Sequence, residues 1–133
     1  MSNWAVSLTF RGFEQSRERI AQIIGSDDYK IGLCGEAVKP GGKTQLKNSY
    51  IKFGVEFSSQ PNIFEIVPAI ISHAGEADYL CSVKEKIQPE YTEINIVMPI
   101  KQSLEQTGGF ISKESINDIH RLCASLSFEF LEA

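Results

Sequence analysis

The most obvious candidates for catalysis or metal binding in this sequence, apart from carboxylates, are two histidines and three cysteines: His73, His120, Cys34, Cys81 and Cys123. A catalytic thiolate requires a neighbouring base, and a zinc site requires several ligands that converge. The two histidines are isolated, and no set of ligands at zinc-like spacing surrounds either one. The sequence therefore predicts no metal site, no cofactor and no catalytic residue, and we interpret each histidine as a partly buried, hydrogen-bonded side chain.

The cysteines predict the compartment. They are odd in number, contain no C-x-x-C pair and stand among apolar neighbours, which is typical of free, buried thiols in a reducing environment. The N-terminal residues alternate in polarity like a strand and have no basic segment of the signal-peptide kind. The longest apolar stretches, residues 66–71 and 94–100, are far shorter than the roughly 18 residues of a membrane helix. We expect a cytoplasmic protein with no membrane partner.

Gly42-Lys43-Thr44 invites comparison with the phosphate-binding loop G-x-x-x-x-G-K-[ST]. The position of the first glycine holds Ala37, and the segment after Thr44 leads into a strand-like run instead of a helix. A surface turn is the better interpretation. Since the chain also lacks a G-x-S-x-G motif, we predict that it is not an enzyme.

Charge excludes two further classes of partner. The chain has 13 basic and 17 acidic residues, a net charge of −4, which disfavours binding to nucleic acid or to anionic lipid. The aromatic residues mostly occupy predicted core positions of strands, so no aromatic pattern for RNA recognition is visible. An acidic surface suits a basic protein partner.

Four carboxylates form the nearest local acidic cluster: Glu14, Glu18, Asp27 and Asp28. Glu14 and Glu18 are four residues apart, so on the predicted first helix they project from one face. We predict these residues as the partner-binding site. The alternative is a solvated helix face in which Arg17 and Arg19 already neutralise the two glutamates.

The strands and helices follow from the spacing of apolar residues. Apolar and polar residues alternate over residues 4–11 and 50–57, which predicts two half-buried strands. Helical spacing follows the first strand and stops at Gly25. A short strand over residues 29–38 would complete a hairpin. Apolar residues from Ile63 predict a helix that is kinked or starts late because of Pro68, and a further helix ends before Pro89.

The last third predicts a strand that ends before Pro99, a helix and a closing strand that contains Phe128 and Phe130. Ser112 is the predicted N-cap of this helix, and Ile111 and Ile116 are placed to form a hydrophobic staple. One apolar stripe is predicted on the helix: Ile116, Ile119, Leu122 and Cys123. The predicted fold is a single α+β domain over residues 1–133, with ferredoxin-like elements, a largely antiparallel sheet and helices on one face.

Two C-terminal segments, residues 109–116 and 125–130, together with Leu122, resemble the ending of a small bacterial domain-of-unknown-function family. There a capped helix leads directly into a terminal strand. The opening strand at residues 6–8 and the helix over residues 14–25 are compatible with the start of that family. The resemblance implies a compact α+β domain without an established set of catalytic residues. It also implies an immunity-protein-like role, because small acidic bacterial proteins of this kind often stand beside secreted toxins.

These inferences predict a non-enzymatic cytoplasmic domain that binds a protein, with neutralisation of a basic bacterial toxin as its most concrete form. Two alternatives remain open. One is a small enzyme or ligand-binding domain whose pocket the sequence does not reveal. The other is an oligomeric scaffold, in which helices or an edge strand pair with another copy.

Overall fold

The computed structural model describes residues 3–100 and 108–132 of the chain. The elements in chain order are β1 (Ala5–Arg11), α1 (Arg17–Ile24), β2 (Lys30–Gly32), β3 (Tyr50–Glu56), α2 (Ile63–His73), α3 (Ala77–Ile87), β4 (Tyr91–Ile100), α4 (Lys113–Arg121) and β5 (Ser125–Glu132). The strands form one sheet in the order β2-β3-β1-β4-β5. Neighbouring strands are antiparallel except β4 and β5, which are parallel.

The first four strands have the connections of a ferredoxin-like fold. β1 lies at the centre, between β3 and β4, and β2 pairs with the outer side of β3. The α4–β5 unit then extends the sheet beside β4 with one parallel strand. The predicted α+β class, with ferredoxin-like elements and a largely antiparallel sheet, is confirmed.

The core lies on one face of the sheet. Side chains at alternate positions of β1, such as Leu8 and Phe10, have no exposed surface. They pack with buried residues of all three early helices, including Ile20, Ile70 and Leu80. No helix of the described residues covers the opposite face of the sheet, where side chains such as Lys52 and Tyr91 are exposed. The helices therefore lie on one face, as predicted.

α1 begins later than the sequence predicted. Ser16 is its N-cap, and the Ser16 side chain accepts a hydrogen bond from the N–H of Arg19. Gly25 ends the helix at φ 76°, as predicted. Glu14 therefore lies before the helix and Glu18 in its first turn, so the prediction that these two carboxylates share one helix face is wrong.

Two prolines are tolerated where the sequence predicted a break. α2 begins at Ile63 with the apolar pattern and continues through Pro68 to His73, so it does not start late. β4 passes through Pro99 because its last residues lie beyond the end of β1. The final pair between β1 and β4 is Ala5 with Val97, and Pro99 pairs only with Leu131 of β5. A proline can occupy a strand position where no ladder donor is required.

α4 has the predicted N-cap, and its buried face agrees with the predicted stripe at Ile119 and Leu122 but not at Ile116 and Cys123. The Ser112 side chain accepts from the N–H of Ser115 at 3.1 Å. Ser115 and Leu122 are buried and Ile119 is partly buried, a spacing that follows one side of the helix. Ile116 is 55% exposed, so it belongs neither to the predicted apolar stripe nor to a staple with the partly buried Ile111.

Candidate functional site

The four predicted partner-binding carboxylates are all exposed. Glu14 precedes α1, Glu18 lies in its first turn, and Asp27 and Asp28 lie in the loop between α1 and β2. Asp28 Oδ2 lies 3.3 Å from Nε2 of His73 at the end of α2. The cluster is thus spread over a loop, a helix and a second loop, and one of its members already has an imidazole neighbour.

The arginines of α1 do not neutralise these glutamates. Arg17 Nη2 pairs with Glu36 Oε2 at 2.5 Å, and Arg19 Nη1 donates to the side-chain oxygen of Gln22 at 3.4 Å. The backbone N–H of Leu33 also donates to Glu36, at 2.8 Å. This amide, first, and the Arg17 guanidinium, second, lower the pKa of the Glu36 carboxyl below its ordinary value. Of the two arginines that flank Glu18 in sequence, one is therefore directed at a third carboxylate and the other at an amide.

The thiols are free but not buried. Cys34 and Cys123 are exposed and Cys81 is half-buried, so the prediction of buried thiols is wrong for all three. The apolar sequence neighbours did not indicate burial, because Cys34 and Cys123 lie just beyond the ends of β2 and α4. Among the described residues no three His, Cys, Asp or Glu side chains come together in a way that could hold a metal ion.

The open face of the sheet has a concave pocket of about 520 Å³. Its floor is made by small side chains on three adjacent strands: Gly54 pairs with Ser7, and Ser7 pairs with Asn95. Ser127 of β5 extends this row and donates to Asn95 Oδ1 at 2.7 Å. Since side chains directly opposite each other share one face of a sheet, this row of small residues leaves room between longer neighbours.

Charged side chains of both signs surround this floor. Lys30 and Lys52 line one part of the pocket and lie directly opposite each other on β2 and β3. Glu56 and Glu129 line the other part, two residues further along β3 and β5 than the floor. Like charges in direct opposition destabilise a sheet, so the lysine pair is a feature that packing alone does not favour.

A second feature is an aromatic pair at the surface, on the helical side of the molecule. The rings of Phe64 and Phe110 are stacked, with centroids 5.3 Å apart and planes at 10°. Their exposed fractions are 42% and 61%. Gly109 permits this stack, because any side chain at its position would overlap Ile63 of α2. The loop before α4 is thereby held against the first turn of α2.

Neither feature was found from the sequence. The apolar run from Ile63 predicts a helix without distinguishing the exposed Phe64 from its buried neighbours Ile66 and Val67. Phe110 lies two residues before the N-cap Ser112, one position outside the staple pattern, so no local rule predicts its exposure. The pocket has no local signal at all, because Lys30 and Lys52 meet only through strand pairing.

Comparisons of the chain with protein-family models, with curated proteins and with solved structures find no match. None of the helices in the described residues combines the length and apolar character that crossing a bilayer requires. The side chains and their geometry therefore carry the functional argument.

Proposed function

We propose that this chain is a non-enzymatic, cytoplasmic protein-binding domain. In its more specific form the proposal is an immunity protein that binds a basic bacterial toxin and blocks it. The observation that carries the proposal is the exposed stack of Phe64 and Phe110. Exposed apolar patches on a folded surface mark interaction sites, and aromatic residues, Phe included, are enriched at protein interfaces.

The stack has the properties of a preformed anchor. Phe64 is fixed on α2, and Phe110 is held two residues before the capped start of α4. A ring pair with a defined geometry loses little conformational freedom when a partner covers it, so more of the burial energy appears as affinity. This pair supports a binding role without any reacting group.

Charge supports a basic partner. The chain carries a net charge of −4, and Glu14 and Glu18 make no ion pair among the described residues. Exposed, unneutralised carboxylates accelerate the approach of a positively charged protein. In this arrangement the carboxylates steer the partner, and the aromatic stack provides the contact that holds it.

Affinity capture of partner proteins from the host tests both the proposed function and the surface formed by Phe64 and Phe110. Tagged wild type is compared with Phe110→Ala and with Tyr91→Ala, which removes an aromatic ring that is 43% exposed on the opposite face of the sheet. We expect one basic protein in equimolar amount with wild type and with Tyr91→Ala, and its loss with Phe110→Ala. Absence of a stoichiometric basic protein contradicts the function, whereas equal capture by Phe110→Ala contradicts only the surface.

The toxin-neutralising form has its own readout. Expression of the captured partner alone is expected to arrest growth, and co-expression of wild type is expected to restore it. Phe110→Ala, produced at the same level, should fail to restore growth. If the partner alone does not affect growth, the protein-binding role stands and the immunity role is wrong.

The pocket on the open face favours a second candidate, a small-ligand-binding domain. Its volume of about 520 Å³ lies in the range of ligand sites, roughly 300–1,000 Å³. The opposed Lys30 and Lys52 suit an anionic group of a ligand, and the carboxylates of Asp28, Glu56 and Glu129, which also line the pocket, suit a cationic one. Calorimetric titration with short-chain carboxylates and phosphate esters tests this, with Lys52→Ala as the variant that should lose binding and Lys86→Ala as its control on α3.

A further inference from the structure

β5 (Ser125–Glu132) forms one edge of the sheet, and its outer side has no partner strand among the described residues. Every second residue of such an edge directs its N–H and C=O outward, where another strand can pair with them. Natural edges are usually protected by charged side chains, above all lysine, by proline, by bulges or by shortness. The sequence of β5, SLSFEFLE, contains no proline and no lysine, and its only charged residues are Glu129 and Glu132.

The strand at the other edge of the sheet, β2, is protected against pairing with another strand. It has only three residues, and one of them is Lys30. β5 is eight residues long and exposes apolar side chains instead. Phe128 is 48% exposed, Phe130 is 60% exposed and Leu131 is 36% exposed. β5 is therefore the less protected edge of the sheet.

The sequence of β5 is complementary to itself in one antiparallel register. Residues that are directly opposite in an antiparallel pair point to the same face, so a two-fold axis normal to the sheet must pass midway between one residue of the strand and its own copy. We call this an axis through that residue. The axes through Phe128 and Glu129 are the two that let most of β5 overlap with its copy. An axis through Glu129 places this carboxylate opposite its own symmetry mate, which is unfavourable.

The axis through Phe128 gives favourable neighbours throughout. Phe128 then lies opposite Phe128 of the second copy, and Phe130 lies opposite Leu126. Glu129 lies opposite Ser127, so no charged side chain opposes a like charge. Aromatic and apolar cross-strand pairs of this kind stabilise antiparallel sheets. All three apolar residues, Leu126, Phe128 and Phe130, belong to the face that carries the helices, because they pair with Ile94, Ile96 and Met98 of β4.

We propose that β5 pairs with β5 of a second copy of this chain in the register centred on Phe128. The result is a two-fold symmetric dimer in which one sheet runs through both copies and all helices lie on the same side. The proposal is independent of the protein-binding role, because Phe64 and Phe110 lie outside β5 and remain free for another partner.

Sedimentation of the purified chain over a concentration series tests the dimer. We expect wild type at twice the mass of one chain, with dissociation on dilution. Phe128→Lys places two lysines opposite each other and is expected to weaken the dimer about 10-fold or more. Phe110→Lys makes the same change at an exposed ring outside β5 and should leave the dimer intact. Circular dichroism confirms that each variant is folded.

Three results overturn the dimer: wild type with the mass of one chain up to about 1 mM, the weak end of specific association; equal dimers in Phe128→Lys and wild type; or equal weakening by Phe110→Lys. Phe130→Lys is the second variant if Phe128→Lys does not fold, and its expected effect has the same direction.

Crosslinking tests the register. In a chain whose native cysteines are replaced by serine, Phe128→Cys brings two thiols directly opposite each other, whereas the two thiols of Phe130→Cys lie about 13 Å apart along the strands. A short bifunctional maleimide should therefore link Phe128→Cys into dimers and leave Phe130→Cys largely unlinked. Equal linking of both variants indicates an axis through Glu129 and overturns the proposed register.

Discussion

Ser49 and Phe13 are joined by two reciprocal hydrogen bonds at one end of the sheet. The N–H of Phe13 donates to Ser49 Oγ at 2.8 Å, and the Ser49 hydroxyl donates to the carbonyl of Phe13 at 2.7 Å. Ser49 is 2% exposed and Phe13 is 7% exposed, so water does not replace these bonds. One hydroxyl thereby satisfies both backbone groups of the residue at which the chain leaves β1 for α1.

Ser49→Ala should lower the free energy of unfolding by about 2 kcal/mol or more. The substitution leaves a buried donor and a buried acceptor without partners, and each such group costs about 1–3 kcal/mol. Urea denaturation followed by circular dichroism measures the change. Ser59→Ala, in the exposed loop before α2, is the control and should change stability by less than about 0.5 kcal/mol. A loss of that small size for Ser49→Ala contradicts the role given to the hydroxyl.

The strands could be predicted from sequence because their signal is local. Alternation over residues 4–11 and 50–57 fixes which face of β1 and β3 is buried. The N-cap at Ser112 is local in the same sense. The bond between Ser49 and Phe13 joins residues 36 positions apart, and no spacing rule connects a loop serine with a backbone group at such a distance.

The predicted stripe of α4 is right at Ile119 and Leu122 and wrong at Ile116 and Cys123, which are exposed. Hydrophobicity alone favours a stripe through Ile116, whereas packing against α3 selects the side that carries Ser115. Contacts with α3 hold the helix in this phase. Lys84 donates to the carbonyl of Leu122, and Arg121 Nη2 pairs with Asp78 Oδ1 at 2.6 Å.

The corrected phase predicts opposite outcomes for two apolar residues of the same chain segment. Leu122 has no exposed surface, so Leu122→Ala should cost about 2–5 kcal/mol of unfolding free energy. Ile116 is 55% exposed, so Ile116→Ala should cost less than about 0.5 kcal/mol. Thermal and urea denaturation of the two variants provide the comparison. Similar losses for both variants would indicate that Ile116 is buried and would contradict the observed orientation of α4.

The candidate surfaces could not be predicted from the sequence, because each depends on how distant parts of the chain pack together. The net charge of the chain predicts the sign of the charge on a partner, because net charge is a sum over residues and does not depend on the fold. Phe64 and Phe110 meet only after α2 and the loop before α4 have packed. The exposure of Phe128 and Phe130 depends on β5 being an edge, which strand order decides and composition does not.

Glu36 gives the protein a pH dependence with a definite sign. The amide of Leu33, and secondarily Arg17, hold the folded pKa of this carboxyl below the ordinary value of 4.5. The unfolded chain therefore binds the proton more readily. The stabilisation is complete above pH 4.5 and is lost as the pH falls through the lower folded pKa.

Denaturation as a function of pH should therefore separate Glu36→Gln from wild type. The stability difference should be constant near neutral pH and should shrink in acid, because wild type then loses the contribution that the variant lacks. Arg17→Met removes only the second cause of the lowered pKa, so its loss of stability in acid should be intermediate between those of wild type and Glu36→Gln. Equal losses of stability in acid for wild type and Glu36→Gln would contradict this account of Glu36.

Charge reversal at Glu14 and Glu18 tests the steering role proposed for the predicted partner-binding residues. Both carboxylates are exposed and make no ion pair among the described residues. The double variant Glu14→Lys, Glu18→Lys should associate more slowly with the basic partner and with a smaller salt dependence. Stability should fall slightly, by about 0.3–1 kcal/mol, because Glu18 favours the positive N-terminus of α1.

Stopped-flow association at low and high salt measures this effect, and the matched control is Glu76→Lys, Glu85→Lys. These two exposed residues lie at and near the ends of α3, and their reversal changes the net charge by the same amount. If steering is local to the start of α1, the Glu14 and Glu18 variant should lose more of the on-rate than the control. Equal losses assign steering to net charge alone, and an unchanged on-rate and salt slope in both variants removes electrostatic steering from the binding reaction.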